Sequence, residues 1–189
     1  MSIWVLFDVD GSIVDTSEGI TKSRQFALDS YGDPNKPRET LKKFIGPPLH
    51  ESFMEFYGCS KEQAFEAVDR YRVRYKEKGV YENRLYPGMK ELLEALKSAG
   101  VKLSVSTSKP TVFTEKILKQ NGIFELFDQI VGANLDGSMT DKTEVMQEAM
   151  RSAGGKENTT YFIVGDRRLD MIGAKNRVVL GTGVHFGFA

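Results

Sequence analysis

The stretch "FDVDGSIVDTS" (7–17) sets three carboxylates, Asp8, Asp10 and Asp15, directly behind an apolar run at 3–7. Side chains two apart on an extended chain share a face, so Asp8 and Asp10 repel one another unless positive charge lies with them. The plainest alternative is a tight turn at Asp10-Gly11, a strong turn dipeptide between apolar runs. Further along, Asp166 and Asp170 stand four apart in "VGDRRLD", one helical turn along the same face. "VKLSVSTSKP" supplies the hydroxyls of Ser106, Thr107 and Ser108 and then Lys109, and "TDKTEV" supplies Lys142. Acids, a hydroxyl pair and lysines in one place suit phosphoryl transfer. A carboxylate can attack phosphorus, a divalent ion and a lysine offset the repulsion between anions, and a second carboxyl moves the proton.

These residues work together only if the chain brings them together. Short β-rich runs recur at 3–7, 101–107, 129–133, 160–165 and 182–188. The later ones are separated by helical patterns at 88–100, 111–122 and 142–155, the first two closing on Gly100 and Gly122. Such alternation predicts βαβ units and a parallel sheet, with right-handed crossovers that carry every strand's C-terminal end to one edge. Ligands of open α/β sheets bind at that edge, and each acid, hydroxyl and lysine above follows a strand. From about Thr16 to Arg84 the rhythm breaks into helical segments divided by "GDPNKP" (32–37) and "GPP" (46–48), with no convincing strand. A helical block inserted after the first strand reads as a lid.

Composition removes several function classes. The 189 residues carry 26 basic and 26 acidic side chains, a formal net charge of zero, which argues against binding a nucleic-acid backbone. A small anionic substrate needs only a local positive site. The single Cys59 excludes an internal disulfide framework and suits a reducing compartment. No apolar stretch approaches a membrane span, and "MSIWVLF" is too short for a signal-peptide core, so the expectation is a cytoplasmic protein with no membrane partner. His50 and His185 make neither a zinc site nor a serine triad, and neither GxSxG nor a P-loop occurs. The basic run 70–78 reads as the solvated face of a helix, with Arg70 or Arg74 as the members able to reach a substrate. Tyr71 and Tyr75, one turn apart, read as core.

Four motifs in order resemble the haloacid-dehalogenase-like (HAD) hydrolase superfamily, and within it the phosphoglycolate phosphatase-like group with a helical cap. "FDVDGSIVD" resembles the first motif, with Ser12 where a threonine is usual; "VSTSKP" the second; "TDKTEV" the third; and "VGDRRLD" the fourth. "FIGPPLHESF" is similar to a cap segment of the group. The resemblance implies Asp8 as nucleophile and Asp10 as general acid/base, a residue that phosphatases keep and true dehalogenases lack. It implies Thr107 and Lys142 at the transferring phosphoryl group, with Gly11 and Ser108 beside it. It implies Mg2+ held by Asp8, the Asp10 backbone carbonyl and Asp166, with Asp170 assisting. Two departures stand out. Relatives continue past "GVHFGF" with a further strand and helix, so a sheet edge is expected to lack its usual cover. Val178 stands where a small residue is usual.

The expected architecture is therefore an α/β protein: a Rossmann-like parallel core (1–15 and 85–189) with an inserted α-helical cap (16–84), hinged near 14–19 and 83–88. Cap closure would exclude bulk water from the phospho-enzyme. The expected activity is Mg2+-dependent hydrolysis of a small phosphorylated metabolite, phosphoglycolate first, with a 5′-nucleotide or pyrophosphate as the alternative. Pro48, His50 and Arg70 are the candidates for substrate selection. Two other classes remain: a receiver-like phospho-signalling module, which would lack the helical insert, and an inactive truncated relative acting as an interaction protein. Oligomeric state is not encoded in any feature above.

Overall fold

The computed structural model describes residues 2–31, 38–42, 45–155, 158–168, 170–171 and 179–188. The punctuator "GDPNKP" and Val178 lie outside them. The chain divides into two compact units, Met1–Asp15 with Arg84–Ala189, and Thr16–Asn83.

The first unit is built on five parallel strands in the order β5-β4-β1-β6-β7. These are β1 (Ser2–Phe7), β4 (Lys102–Pro110), β5 (Gln129–Ala133), β6 (Thr159–Gly165) and β7 (Leu180–Gly183). β1 is central, and its second half, Val5, Leu6 and Phe7, is buried on both faces, as a parallel sheet between helices demands, while Ile3 near its start is exposed. Leu6 packs with Tyr161 and Ile163 of β6 against Met146, Ala149 and Met150 of helix α7 (Lys142–Ser152). Val5 and Phe7 alternate to the opposite face. Helices α5 (Met89–Ser98) and α6 (Thr111–Gln120) follow the expected periodicity, and α7 is started by Asp141, whose carboxylate accepts from the amides of Thr143 and Glu144.

Three details differ from the sequence expectation. A two-residue antiparallel pair, β2 (Val14–Asp15) with β3 (Arg84–Leu85), joins the two ends of the insert; runs this short leave no period to read. β4 continues past Thr107 to Pro110 through a register shift against β5. The last strand is Leu180–Gly183 rather than 182–188, and it stands exposed along its length at the sheet edge. Beyond it the chain turns at Gly187, whose φ of +97° is open to glycine without strain, so 184–188 do not extend the sheet.

The second unit is helical: α1 (Ser17–Asp29), α2 (Arg38–Lys42), α3 (Leu49–Tyr57) and α4 (Lys61–Glu77). α4 opens on a reciprocal capping box between Ser60 and Gln63. Tyr71 and Tyr75 are buried and stacked 5.1 Å apart, as core residues.

Candidate active site

The strand order sets β4, β1 and β6 side by side, and register pairs Phe7 with Val105 on one side and Val164 on the other. Asp8, Thr107 and Asp166 therefore emerge at the same sheet edge. The Asp8 amide donates to the Val164 carbonyl at 2.9 Å, extending the ladder to the acid itself. After Asp8 the chain folds into a tight loop in which the Gly11 amide donates to the Val14 carbonyl, at a φ of +87° for Gly11. The turn at Asp10-Gly11 is present and is compatible with both acids standing at the sheet edge. The turn ends the strand and sets both acids at its rim.

Lys142, the first residue of α7, is the central cation. Its Nζ lies 2.6 Å from Asp8 Oδ1 and 2.8 Å from Asp170 Oδ1, with all three side chains at most 9% exposed. Burial pulls this ammonium down, but Asp8 and Asp170 more than offset that and hold it above the ordinary lysine range. Asp170 is pushed up, by burial first and by the Asp8 charge next, with Lys142 opposing. Its Oδ2 accepts from the Arg167 amide, which fixes the carboxylate in the turn after β6. Asp170 is fully buried rather than solvated.

Asp166 is held from the other side. Phe188 donates its amide to Asp166 Oδ2 at 2.7 Å, and Oδ1, buried, has no hydrogen-bond partner among the described residues. Burial pushes Asp166 up to about 6, against the Phe188 hydrogen bond, with Asp8 and Asp170 adding to the rise. Tyr86, just past β3, packs on Phe186 at 4.8 Å, and burial, then Asp15, Asp166 and Asp10, push its phenol up to about 12.

One oxygen from each of Asp8, Asp166 and Asp170 lies within 4.8 Å of the others, all three residues buried. Three buried carboxylates face one buried ammonium, while Arg167 Nε reaches only to 3.9 Å of Asp166 Oδ2 and is a quarter exposed. The excess negative charge and the bare Asp166 Oδ1 fit a hard divalent cation, which takes a few carboxylates and fills its shell with water and substrate oxygen. Asp10's carboxylate is not in this group. Any share it takes in a metal site falls to its backbone carbonyl.

Thr107 is buried in β4 just before its register shift, and its Oγ1 accepts from the Lys109 amide at 3.2 Å. It is not a helix N-cap, because Pro110 holds that position in α6. Ser108 donates its hydroxyl to the Thr140 carbonyl at 2.8 Å, tying β4 to the loop before Lys142. Lys109, which the sequence offers as a lysine following the hydroxyl run, places Nζ 3.0 Å from Asp10 Oδ2. The remaining candidates belong to the helical unit. Pro48 is the N-cap of α3, His50 stacks on Phe65 with ring centroids 5.4 Å apart, and Arg70 is exposed on α4. Arg74 is not free to reach a substrate: it makes a fork on Glu82 at 2.8 and 2.9 Å and donates to Ser23 at 3.1 Å.

Comparison with known proteins agrees with this geometry. The chain is 43% identical over 184 residues to a 5′-nucleotidase of Pseudomonas aeruginosa, covering 97% of this chain and 83% of that protein. It is 36% identical over 183 residues to the tyrosine-protein kinase PtkA of Mycobacterium tuberculosis, covering 95% of this chain and 62% of PtkA. The crystal structure of a predicted phosphatase from Clostridium acetobutylicum superposes with a TM-score of 0.95 at 42% identity, over 100% of this chain and 87% of that one. No helix among the described residues is long and apolar enough to cross a membrane. Residues 5–184 match the family model of haloacid dehalogenase-like hydrolases, and with the phosphatase relatives this makes the chain a member of that family, a HAD-type phosphatase/hydrolase.

Proposed function

We propose that the protein hydrolyses a small phosphomonoester with Mg2+, through an aspartyl-phosphate on Asp8. The observation that carries this reading is the Lys142 ammonium within hydrogen-bond reach of both Asp8 and Asp170, in a buried cluster that still has an excess of negative charge. Asp8 attacks phosphorus as the ester P–O bond breaks, and the leaving oxygen takes a proton from Asp10. Water then attacks the same phosphorus, Asp10 takes its proton, and the P–O bond to Asp8 breaks to release phosphate. Lys142 and the Thr107 hydroxyl hold the phosphoryl oxygens as charge shifts among them. Asp8, Asp166 and Asp170, with the Asp10 carbonyl, would hold the Mg2+, which supplies positive charge that lets one anion approach another.

The helical unit Thr16–Asn83 takes the role of the cap in this reading, with Pro48, His50 and Arg70 selecting the substrate. Among substrates, the 43% identity to a 5′-nucleotidase favours a nucleoside monophosphate over phosphoglycolate. The test is phosphate release from a panel holding both esters, with and without Mg2+, beside Asp8→Asn. Turnover that needs the ion and Asp8 is expected. Turnover by Asp8→Asn equal to the parent's would end the proposal.

A further inference from the structure

Lys109 lies within "VSTSKP", and the resemblance assigns it no role there. Strand β4 shifts register between Thr107 and Pro110, and a bulge of this kind re-aims the side chains within it. Lys109 sits inside that shift. Its amide donates to Thr107 Oγ1, and Gly132 of β5, where a Cβ would stand 2.5 Å from the Lys109 carbonyl, leaves room for its backbone. Its Nζ crosses to the neighbouring strand's loop and meets Asp10 Oδ2 at 3.0 Å, with the two side chains only 5% and 13% exposed.

From this we propose that Lys109 is a positioning residue for Asp10. The proposal rests on the reading of Asp10 as the proton carrier given above. A carboxyl that serves first a leaving oxygen and then a water must present one oxygen within about 3 Å of each. Asp10 stands in the turn after the strand, joined to Val14 by a single β-bridge, and Lys109 adds an ion pair on its carboxylate. Lys109 holds Oδ2, which limits rotation of the Asp10 carboxyl beside the sheet edge where Asp8, Thr107 and Lys142 converge. The same residue is tied through its amide to Thr107, so the proton carrier and a phosphoryl-binding hydroxyl share one rigid support. Lys109 itself does not take up or release anything in either step.

Positioning and direct phosphate binding separate by the order of the two steps. The variants are Lys109→Met, Lys109→Arg, Asp10→Asn and the double variant, in the full chain with Mg2+. A nitrophenyl phosphate needs no proton on its leaving oxygen, so its first step survives poor placement of Asp10, while the hydrolysis step does not. For Lys109→Met we expect a burst of nitrophenolate near one equivalent, then turnover about 10- to 100-fold below the parent with KM not raised. With an alkyl phosphate the burst is absent, because its leaving oxygen needs the proton. Lys109→Arg restores most of the rate. In the Asp10→Asn background, Lys109→Met costs less than about twofold, since nothing is left to position.

A raised KM with no burst, or the same fold-loss with and without Asp10, would overturn the proposal in favour of direct contact with phosphate. If Lys109→Met fails to fold, the comparison of Asp10→Asn with the double variant, where both charges are gone, decides alone. Full turnover by Asp8→Asn would instead remove the underlying reading, whatever Lys109 does.

Discussion

The amide of Phe188 donates to Asp166 Oδ2 across 22 positions of sequence, and it directs one carboxylate of the candidate metal cluster from outside the sheet. The contact depends on close approach. A Cβ at Gly187 would stand 2.7 Å from Asp166 Oδ2 and meet the Gly11 carbonyl, at a φ of +97° that L side chains disfavour. Gly187→Ala should therefore release Asp166 and weaken divalent-ion binding about 10-fold or more, as loss of an outer partner of a metal ligand does. Titration calorimetry with Mn2+ measures it. Gly183→Ala, in the exposed β7 where a Cβ meets nothing within 4 Å, is the control and should bind like the parent. Equal affinities in all three proteins would sink the idea.

Burial of Asp166 gives the metal-free protein a definite pH response. Its carboxyl is raised from 3.8 to about 6, so between those values the native state keeps a proton that the unfolded chain has released. Stability from this group is full below the unfolded value and is lost as pH rises through about 6. In the proposed site a divalent ion would take the proton's place. The rise in Tm on adding Mg2+ should accordingly be larger near pH 7.5 than near pH 5, and scanning calorimetry at both settles it. An increment independent of pH would count against Asp166 as a ligand.

Much of this site was legible because its signals are local to each strand end. Asp8, Thr107, Lys142 and Asp166 each follow an apolar run or open a helix, and a parallel sheet with right-handed crossovers leaves one edge for them to meet. Lys109 was not legible in its role. Its position depends on a register shift, which adds no residue type that a sequence shows, so the lysine is read beside the hydroxyls without its partner Asp10. The covering of Asp166 was also hidden, since "GVHFGF" alternates like a strand and only the backbone at Gly187 turns it aside. Arg74 shows the opposite error. A basic run looks solvated because pattern reports a helix's face and not the Glu82 that meets it from the next turn of chain.

Arg74 belongs to the frame of the helical unit, and its removal should be felt there. It forks onto Glu82 and reaches Ser23, with side chains of Arg74 and Glu82 only 17% and 23% exposed. Arg74→Met should destabilise the protein by about 1–3 kcal/mol near neutral pH, the range for hydrogen bonds to charged groups. Arg74 holds the Glu82 carboxyl below its ordinary 4.5, so this stability is present above that value and is lost as pH falls below it. Urea titrations at about pH 7 and about pH 3.5 should show the difference between parent and variant shrinking at the lower pH. Phosphatase turnover per folded molecule should be unchanged, and a raised KM would return Arg74 to the list of substrate contacts.

Lys142 offers the sharpest separation of folding from chemistry. It is the only ammonium touching Asp8 and Asp170 among the described residues, so Lys142→Met leaves three buried carboxylates facing one another. Without a divalent ion the variant should lose about 3–5 kcal/mol, the usual cost of leaving a buried charge without its partner. Mg2+ should recover much of that, because the cation neutralises the same cluster. Turnover should not recover, since in the proposed mechanism Lys142 also holds the transferring phosphoryl group, and a fall of about 100-fold or more is expected from loss of one such donor. Stability is read by denaturant titration with and without Mg2+, and turnover by phosphate release from the folded, ion-saturated variant. A variant as stable as the parent without the ion would mean that the carboxylates are protonated rather than paired. A variant restored in both stability and rate would assign Lys142 to the fold alone.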